Sequence, residues 1–188
     1  MSLKELTADK HAEAENTLFM KTVFEGKMSM DVWADYTFQK GHWYNVIEKK
    51  AESFGLLENL PGIKRSRLIS QDFKEIMHFN REGYELSQTA LDYCKYISEL
   101  DSAEKVLAHL YTWHMGDMFG GQMIKKIVNA PSRHLEFENA GELITTVRSM
   151  LTDELADEAN TAFTWAIKLL REYDSRLMEQ GSKPSQWN

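Results

Sequence analysis

The sequence predicts a single all-α domain, and three observations carry that prediction. Only 3 prolines and 10 glycines interrupt a chain with 10 methionines and a background rich in Leu, Ala, Glu and Lys, residues that favour helix. Nowhere do apolar and polar residues alternate as a half-buried strand requires, and no tandem repeat or low-complexity linker divides the chain. A length of 188 residues suits one full-sized core and is short for two. The expected organisation is one domain over residues 1–180 and a flexible tail over 181–188.

Six helical stretches follow in order. The first runs from about Leu3 to Phe24 and stops near Gly26, with Leu18, Met20, Val23 and Phe24 facing the core. The second opens at Met30 or Asp31, where Ser29 is placed to cap it, and continues to Phe54 before Gly55. Pro61 and Gly62 form a turn. A third helix covers roughly Ser66 to Phe79, and a fourth roughly Tyr84 to Leu100. Asp101 or Ser102 caps a long fifth helix that reaches about Val128 and is stopped by Asn129 and Pro131. Ser132 to Asn139 reads as a loop, and Gly141 to about Gln180 as one or two further helices.

Charge and composition exclude several function classes. A net charge of −7 lacks the basic face that nucleic acid demands. No apolar run approaches the roughly 18 residues of a membrane span, and no secretory apolar segment follows Met1. The expectation is a cytoplasmic protein with no membrane or nucleic-acid partner. A single cysteine, Cys94, rules out an internal disulfide and a cysteine-based zinc site.

The first helix carries an unusual histidine. Lys4, Thr7, His11, Ala14 and Leu18 recur at spacings of three and four residues and so share one face. That face turns His11 inward, although Asp9, Lys10, Glu13 and Glu15 around it are polar. A neutral imidazole offers one nitrogen to a metal, while the other needs a partner, and Glu15 one turn later is placed to supply it. A core histidine satisfied by Glu15 or by a carbonyl accounts for the same pattern. Lys4 lies two turns earlier, about 10 Å along the axis, where a cation can meet the edge of a flat anionic ligand or simply face solvent.

Leu110 to Lys126 is the most informative stretch. Good helix formers flank Gly116, Gly120 and Gly121, yet each internal glycine costs about 1 kcal/mol relative to alanine. Gly116 and Gly120 are one turn apart and bare a single strip of helix, which suits a kink, close helix packing or the approach of a flat ligand. Asp117 sits between them beside Met118 and Phe119, as a buried anchor for ordered water or a solvent-facing acid.

LKELTADKHAEAEN (Leu3 to Asn16) and YTWHMGDMFGGQMIKK (Tyr111 to Lys126), taken together, resemble the heme oxygenases. DEANTAF (Asp157 to Phe163) resembles the last-helix motif of the phototroph members. The resemblance spans nearly the whole chain, more thinly over Gly55 to Asp101 and Pro131 to Glu154. It implies an all-α fold in which heme is sandwiched between a proximal helix and a kinked distal helix. His11 is then the proximal iron ligand and Glu15 its partner. Lys4 and Arg148 bind the propionates, and Gly116, Gly120 and Gly121 let the distal backbone approach the heme. Asp117 and Tyr44 organise distal water.

The implied activity is oxidation of heme b by O₂ to biliverdin, expected as the IX-alpha isomer, with CO and Fe²⁺. Heme is both substrate and cofactor, and electrons come from reduced ferredoxin or another reductase. A bilin reductase is the expected downstream partner. Two departures bear on the site. Trp113 stands where animal members often carry an arginine, and Ile144 stands where a lysine is expected one turn before Arg148.

Two other readings compete. A non-catalytic heme carrier or chaperone would use the same His11 and glycine strip. A ferritin-like di-iron protein would use Glu75-Ile-Met-His78, but needs a second Glu-x-x-His element and two more glutamates, which the sequence lacks. His42, His78, His109, His114 and His134 are therefore expected to be structural or surface residues. Lys49, Lys50, Lys125 and Lys126 are the candidate contacts for an acidic electron donor.

Overall fold

The computed structural model describes residues 2–77 and 83–181. Its elements are α1 (Leu3–Leu6), α2 (Ala8–Glu15), α3 (Leu18–Phe24), α4 (Met30–Ser53), α5 (Ser66–Met77), α6 (Gln88–Glu99) and α7 (Ala103–Leu110). A π-turn (Tyr111–Met115) joins α7 to α8 (Gly116–Phe119) and α9 (Gly121–Ile127). After a 3₁₀ turn (Arg133–Leu135) come α10 (Ala140–Met150), a second 3₁₀ turn (Asp153–Leu155), α11 (Ala156–Arg171) and α12 (Asp174–Gly181). No strand occurs among the described residues. His78 and Phe79, and the tail beyond Gly181, lie outside them.

The first predicted helix is three helices, because two threonines take over backbone partners. The Thr7 hydroxyl donates to the Leu3 carbonyl at 2.9 Å where α1 ends. Thr17 adopts extended backbone, and its hydroxyl accepts from the Met20 N–H, so it caps a new helix. The break rotates α3 relative to the predicted face. Phe19 and Val23 are buried, whereas Phe24 is 37% exposed rather than in the core.

The long α4 is the spine of the molecule, packed against α5, α6 and α7. Tyr36, Lys40, Tyr44, Ile47 and Ala51, at helical spacing, are all buried along it. Gly55 then takes φ +71° and ends the helix. An aromatic cluster closes the far side: Phe19 meets Tyr36 at 4.6 Å and Tyr173 at 5.3 Å between ring centroids.

Other boundaries shift for local reasons. The fourth predicted helix starts at Gln88 rather than Tyr84, because the Ser87 hydroxyl caps the Ala90 N–H. The predicted loop contains the Arg133–Leu135 turn, and the C-terminal stretch holds three helices rather than one or two. The predicted continuous helix to Val128 is interrupted by the π-turn and again at Gly120. α11 contacts α2 on one side and α7 and the π-turn on the other. One helix thus supports both the His11 segment and the segment leading to Gly116.

Candidate functional site

His11 lies on α2, which buries none of its residues. His11 accordingly does not face the core as predicted: its side chain is 54% exposed. The break at Asn16 and Thr17 separates it from the core-facing residues of α3. Its Nδ1 lies 3.7 Å from Glu15 Oε2, a close charged neighbour but too long for a hydrogen bond. Its ring meets Phe163 of α11 edge-on, 5.6 Å between centroids. With Glu15 beside Nδ1, Nε2 is the nitrogen free for a ligand. Lys4 stands exposed on α1.

The glycines of the distal segment have different jobs. A β-carbon on Gly116 would meet nothing within 4 Å, so bare helical backbone faces open space there. On Gly120 it would press the Gly116 carbonyl at 3.3 Å. Gly121 is buried, and a β-carbon there would come within 2.9 Å of Leu135 Cδ2. Its glycine answers to protein packing rather than to the open face. Phe119 is 51% exposed beside this strip, and the Arg148 guanidinium of α10 lies over its ring at 5.5 Å. Arg148 therefore reaches the edge of the distal segment from a different helix.

Asp117 is buried, with 11% of its side chain exposed. Lys40 Nζ donates to its Oδ1 at 2.8 Å, and the Tyr44 hydroxyl donates to its Oδ2 at 2.7 Å. The π-turn helps to place it there: one extra residue in a turn resets helical phase by about 100°. Burial alone would raise the Asp117 pKa. The Lys40 ammonium, His134 and the two hydrogen bonds outweigh it and hold the carboxyl below its ordinary value. Burial, then the Asp117 charge, pushes the Tyr44 phenol well above the usual tyrosine range, so it stays a donor.

Further buried polar pairs brace this centre. His114 of the π-turn stacks on Tyr44 at 4.6 Å and bonds Glu48 through Nε2 at 3.1 Å. Glu48 also accepts the Arg65 N–H at 2.6 Å, tying α4 to the start of α5. Asp72 of α5 accepts from His134 Nδ1 at 2.7 Å and from its backbone N–H at 3.0 Å. That fixes the 3₁₀ turn whose Leu135 presses on Gly121.

Trp113 takes no part at Asp117. Its indole donates to the Tyr93 hydroxyl at 2.8 Å, and that hydroxyl meets His109 Nδ1 at 2.7 Å. His109 Nε2 in turn bonds Glu158 of α11 at 2.9 Å. This chain anchors the π-turn to α6 and α11. His42 bonds the Phe38 carbonyl.

The residue missed from the sequence is Lys40, 3% exposed. The signal was present in the i, i+4 series Tyr36, Lys40, Tyr44, which puts a lysine on the buried stripe of α4. Glu75 pairs with Arg133 at 2.6 Å rather than standing ready for a metal. Among the described residues no three His, Cys, Asp or Glu side chains gather as a metal site. Burial pushes the Cys94 thiol up to about 11, which keeps it from acting as a thiolate ligand.

His11 against Phe163, and the bare Gly116 backbone with Phe119 and Arg148, are two separate groups whose chemistry suits a flat, metal-bearing dianion. The heme oxygenase family model matches residues 1–146. The chain belongs to the heme oxygenase family. Members of this family cleave heme to biliverdin, and membership makes the chain an enzyme of that kind.

The chain is 24% identical to heme oxygenase 1 of Synechocystis over 204 residues, covering 94% of this chain and 85% of that protein. It is also 24% identical to heme oxygenase 2 of Oryctolagus cuniculus over 213 residues, covering 97% of this chain and 67% of that one. The crystal structure of the Synechocystis heme oxygenase 1 in complex with heme superposes with a TM-score of 0.84 at 23% identity, covering 94% and 92% of the two chains. The heme oxygenase of Leptospira interrogans superposes with a TM-score of 0.78 at 20% identity. No helix among the described residues is long and apolar enough to cross a membrane.

Proposed function

We propose that this chain opens heme b to biliverdin IX-alpha with His11 as the proximal iron ligand. The observation that carries the assignment is the half-exposed His11, whose Nδ1 has the Glu15 carboxylate 3.7 Å away, which leaves Nε2 as the nitrogen for a ligand. Bound heme supplies both the iron that activates O₂ and the ring that is oxidised. Lys4 and Arg148, exposed on two different elements, take the propionates, and their asymmetric placement fixes the rotation of the ring. Gly116 brings its backbone against the distal face without a side chain in the way. Gly120, one turn on, lets that backbone flex.

Asp117 and Tyr44 act on protons. Asp117 keeps one oxygen on Lys40 and one on Tyr44, which leaves acceptor positions on the carboxylate for water. A carboxylate in this setting orients that water as a donor towards the distal face. Reduced ferredoxin is the electron donor this reading favours. Lys49 and Lys126 are exposed for such an acidic partner, whereas Lys125 is held by Glu136 at 2.6 Å and Lys50 by the Ser98 carbonyl at 2.8 Å. A cytoplasmic location and a bilin reductase as the downstream partner belong to the same proposal.

The test is anaerobic hemin titration followed by oxygen with ferredoxin, its reductase and NADPH, and identification of the pigment formed. Biliverdin IX-alpha is expected. Heme that binds in equal proportion and survives would make the chain a heme carrier instead.

A further inference from the structure

Asp117 needs a cation, and the structure shows where it comes from. Trp113, on the same turn of the distal segment, commits its only donor to Tyr93. The positive charge is delivered instead from α4, by a lysine with 4% of its side chain exposed. Lys40 Nζ sits over the Tyr44 ring at 5.0 Å and the Tyr36 ring at 5.9 Å while it donates to Asp117. Two aromatic faces and one carboxylate thus box the ammonium, and α4 rigidly sets its distance from Tyr44 one turn later.

Burying two charges costs several kcal/mol per ion before any attraction is counted. An apolar pair of the same volume would hold α4 to the distal segment at lower cost. A buried ammonium at this place is best understood through what it does to Asp117.

We propose that Lys40 is the positioning residue of the distal site, fixing both the ionisation and the direction of the Asp117 carboxylate. The inference rests on Asp117 acting as assigned above and extends that assignment to the helix opposite. Without Lys40, Asp117 keeps only the Tyr44 hydroxyl, and burial drives its carboxyl to take up a proton. A protonated carboxyl cannot accept from both Tyr44 and water in the same arrangement. The other charged and titratable groups facing the pair are Tyr36 and Tyr44 of α4, His134 of the 3₁₀ turn and, more distantly, Arg65 and Glu48. None of these is a cation in hydrogen-bond contact with Asp117.

The test combines a titration without heme and turnover with it. The ¹³C carboxylate signal of Asp117, assigned by its absence in Asp117→Asn, should titrate below the ordinary value in the wild-type chain. In Lys40→Met its midpoint should rise by about two pH units, and in Lys40→Arg it should stay low. Lys40→Met should bind hemin within about threefold of wild type, yet make biliverdin about tenfold more slowly or worse one pH unit below its new midpoint. Its rate should recover as pH rises through the new midpoint, and Lys40→Arg should restore most of the rate.

An unchanged Asp117 midpoint in Lys40→Met, or an unchanged pH profile of turnover, would overturn the proposal. If Lys40→Met fails to fold, Lys40→Met/Asp117→Asn removes the orphaned charge and should turn over no more slowly than Asp117→Asn alone. Additive losses would instead give Lys40 a role apart from Asp117 and overturn it. A wild-type chain that makes no biliverdin would remove the enzymatic reading, while the titration still decides what Lys40 does to Asp117.

Discussion

Leu135 presses its Cδ2 to within 2.9 Å of the place a β-carbon on Gly121 would occupy, whereas the same place on Gly116 has no atom within 4 Å. Two glycines five residues apart should therefore respond oppositely to alanine. Gly121→Ala overpacks against a side chain held by the Asp72–His134 anchor, at a cost of about 1–3 kcal/mol. Gly116→Ala lies in helical backbone with room to spare and should stabilise the protein without heme by up to about 1 kcal/mol. It should nonetheless weaken hemin binding and slow turnover, because the methyl projects where the ring is placed. Urea unfolding with parallel hemin titrations reads both, and a stability loss in Gly116→Ala would show that its open face is not open.

His11→Ala should separate binding from folding. The imidazole is more than half exposed, and beyond the Glu15 charge its recorded neighbour is the edge of Phe163. Truncation should change unfolding free energy by no more than about 0.5 kcal/mol. The heme absorbance spectrum of the native complex should be lost. A spectrum identical to wild type would remove His11 from the iron.

Asp117→Ala, the natural choice from the sequence, is the wrong test of catalysis. It would strand the buried Lys40 ammonium without its carboxylate, a change of about 3–5 kcal/mol, and poor folding would mask any effect on chemistry. Asp117→Asn also removes the charge, but it keeps the shape and an amide oxygen that can accept from Lys40, so less is lost in folding. We expect it to bind hemin as wild type does and to form biliverdin at least about tenfold more slowly. Steady-state rates beside a hemin titration decide it; equal rates would take Asp117 out of the mechanism.

How far the sequence reached depends on what each feature requires. His11, Gly116 and Asp117 stood out because each breaks a local rule that a single chain segment displays. Tyr44 and Lys40 approach Asp117 from 73 and 77 residues away, and no local pattern announces a pairing of that range. Lys40 was legible only as a lysine on a buried stripe, a conflict that the α4 periodicity already contained. The breaks at Thr7 and Thr17 were hidden for another reason. A threonine hydroxyl competes for backbone only when tertiary packing leaves the turn free to open, and propensity sums do not register that choice. Trp113 marked an altered network in the sequence, but its true partner, Tyr93, lies on a helix that the motifs did not cover.

His134 should give the protein an acid-sensitive step well above the carboxylate range. Burial, reinforced by the Lys40 charge, lowers its pKa below the ordinary value, against the opposing hydrogen bond that it donates to Asp72. The folded chain therefore keeps His134 neutral at pH values where the unfolded chain has begun to protonate it. Stability is complete above the unfolded value of about 6.5 and declines as pH falls through it towards the folded value, since the unfolded state binds more protons there. Asp72 and Asp117, both held below their ordinary values, add a separate decline that begins only near pH 4. His134→Gln removes the upper step and leaves the lower one. At pH 7.5 it should be less stable than wild type by about 1–3 kcal/mol, because buried Asp72 loses the imidazole donor and keeps only the backbone N–H and Arg133. The gap should then narrow steadily as pH approaches about 5, since the variant has no buried imidazole to charge. Urea unfolding of the heme-free protein in steps across this range measures the difference, which also cancels the contributions of the other histidines. A gap that stays constant would mean that His134 titrates alike in the folded and unfolded chain.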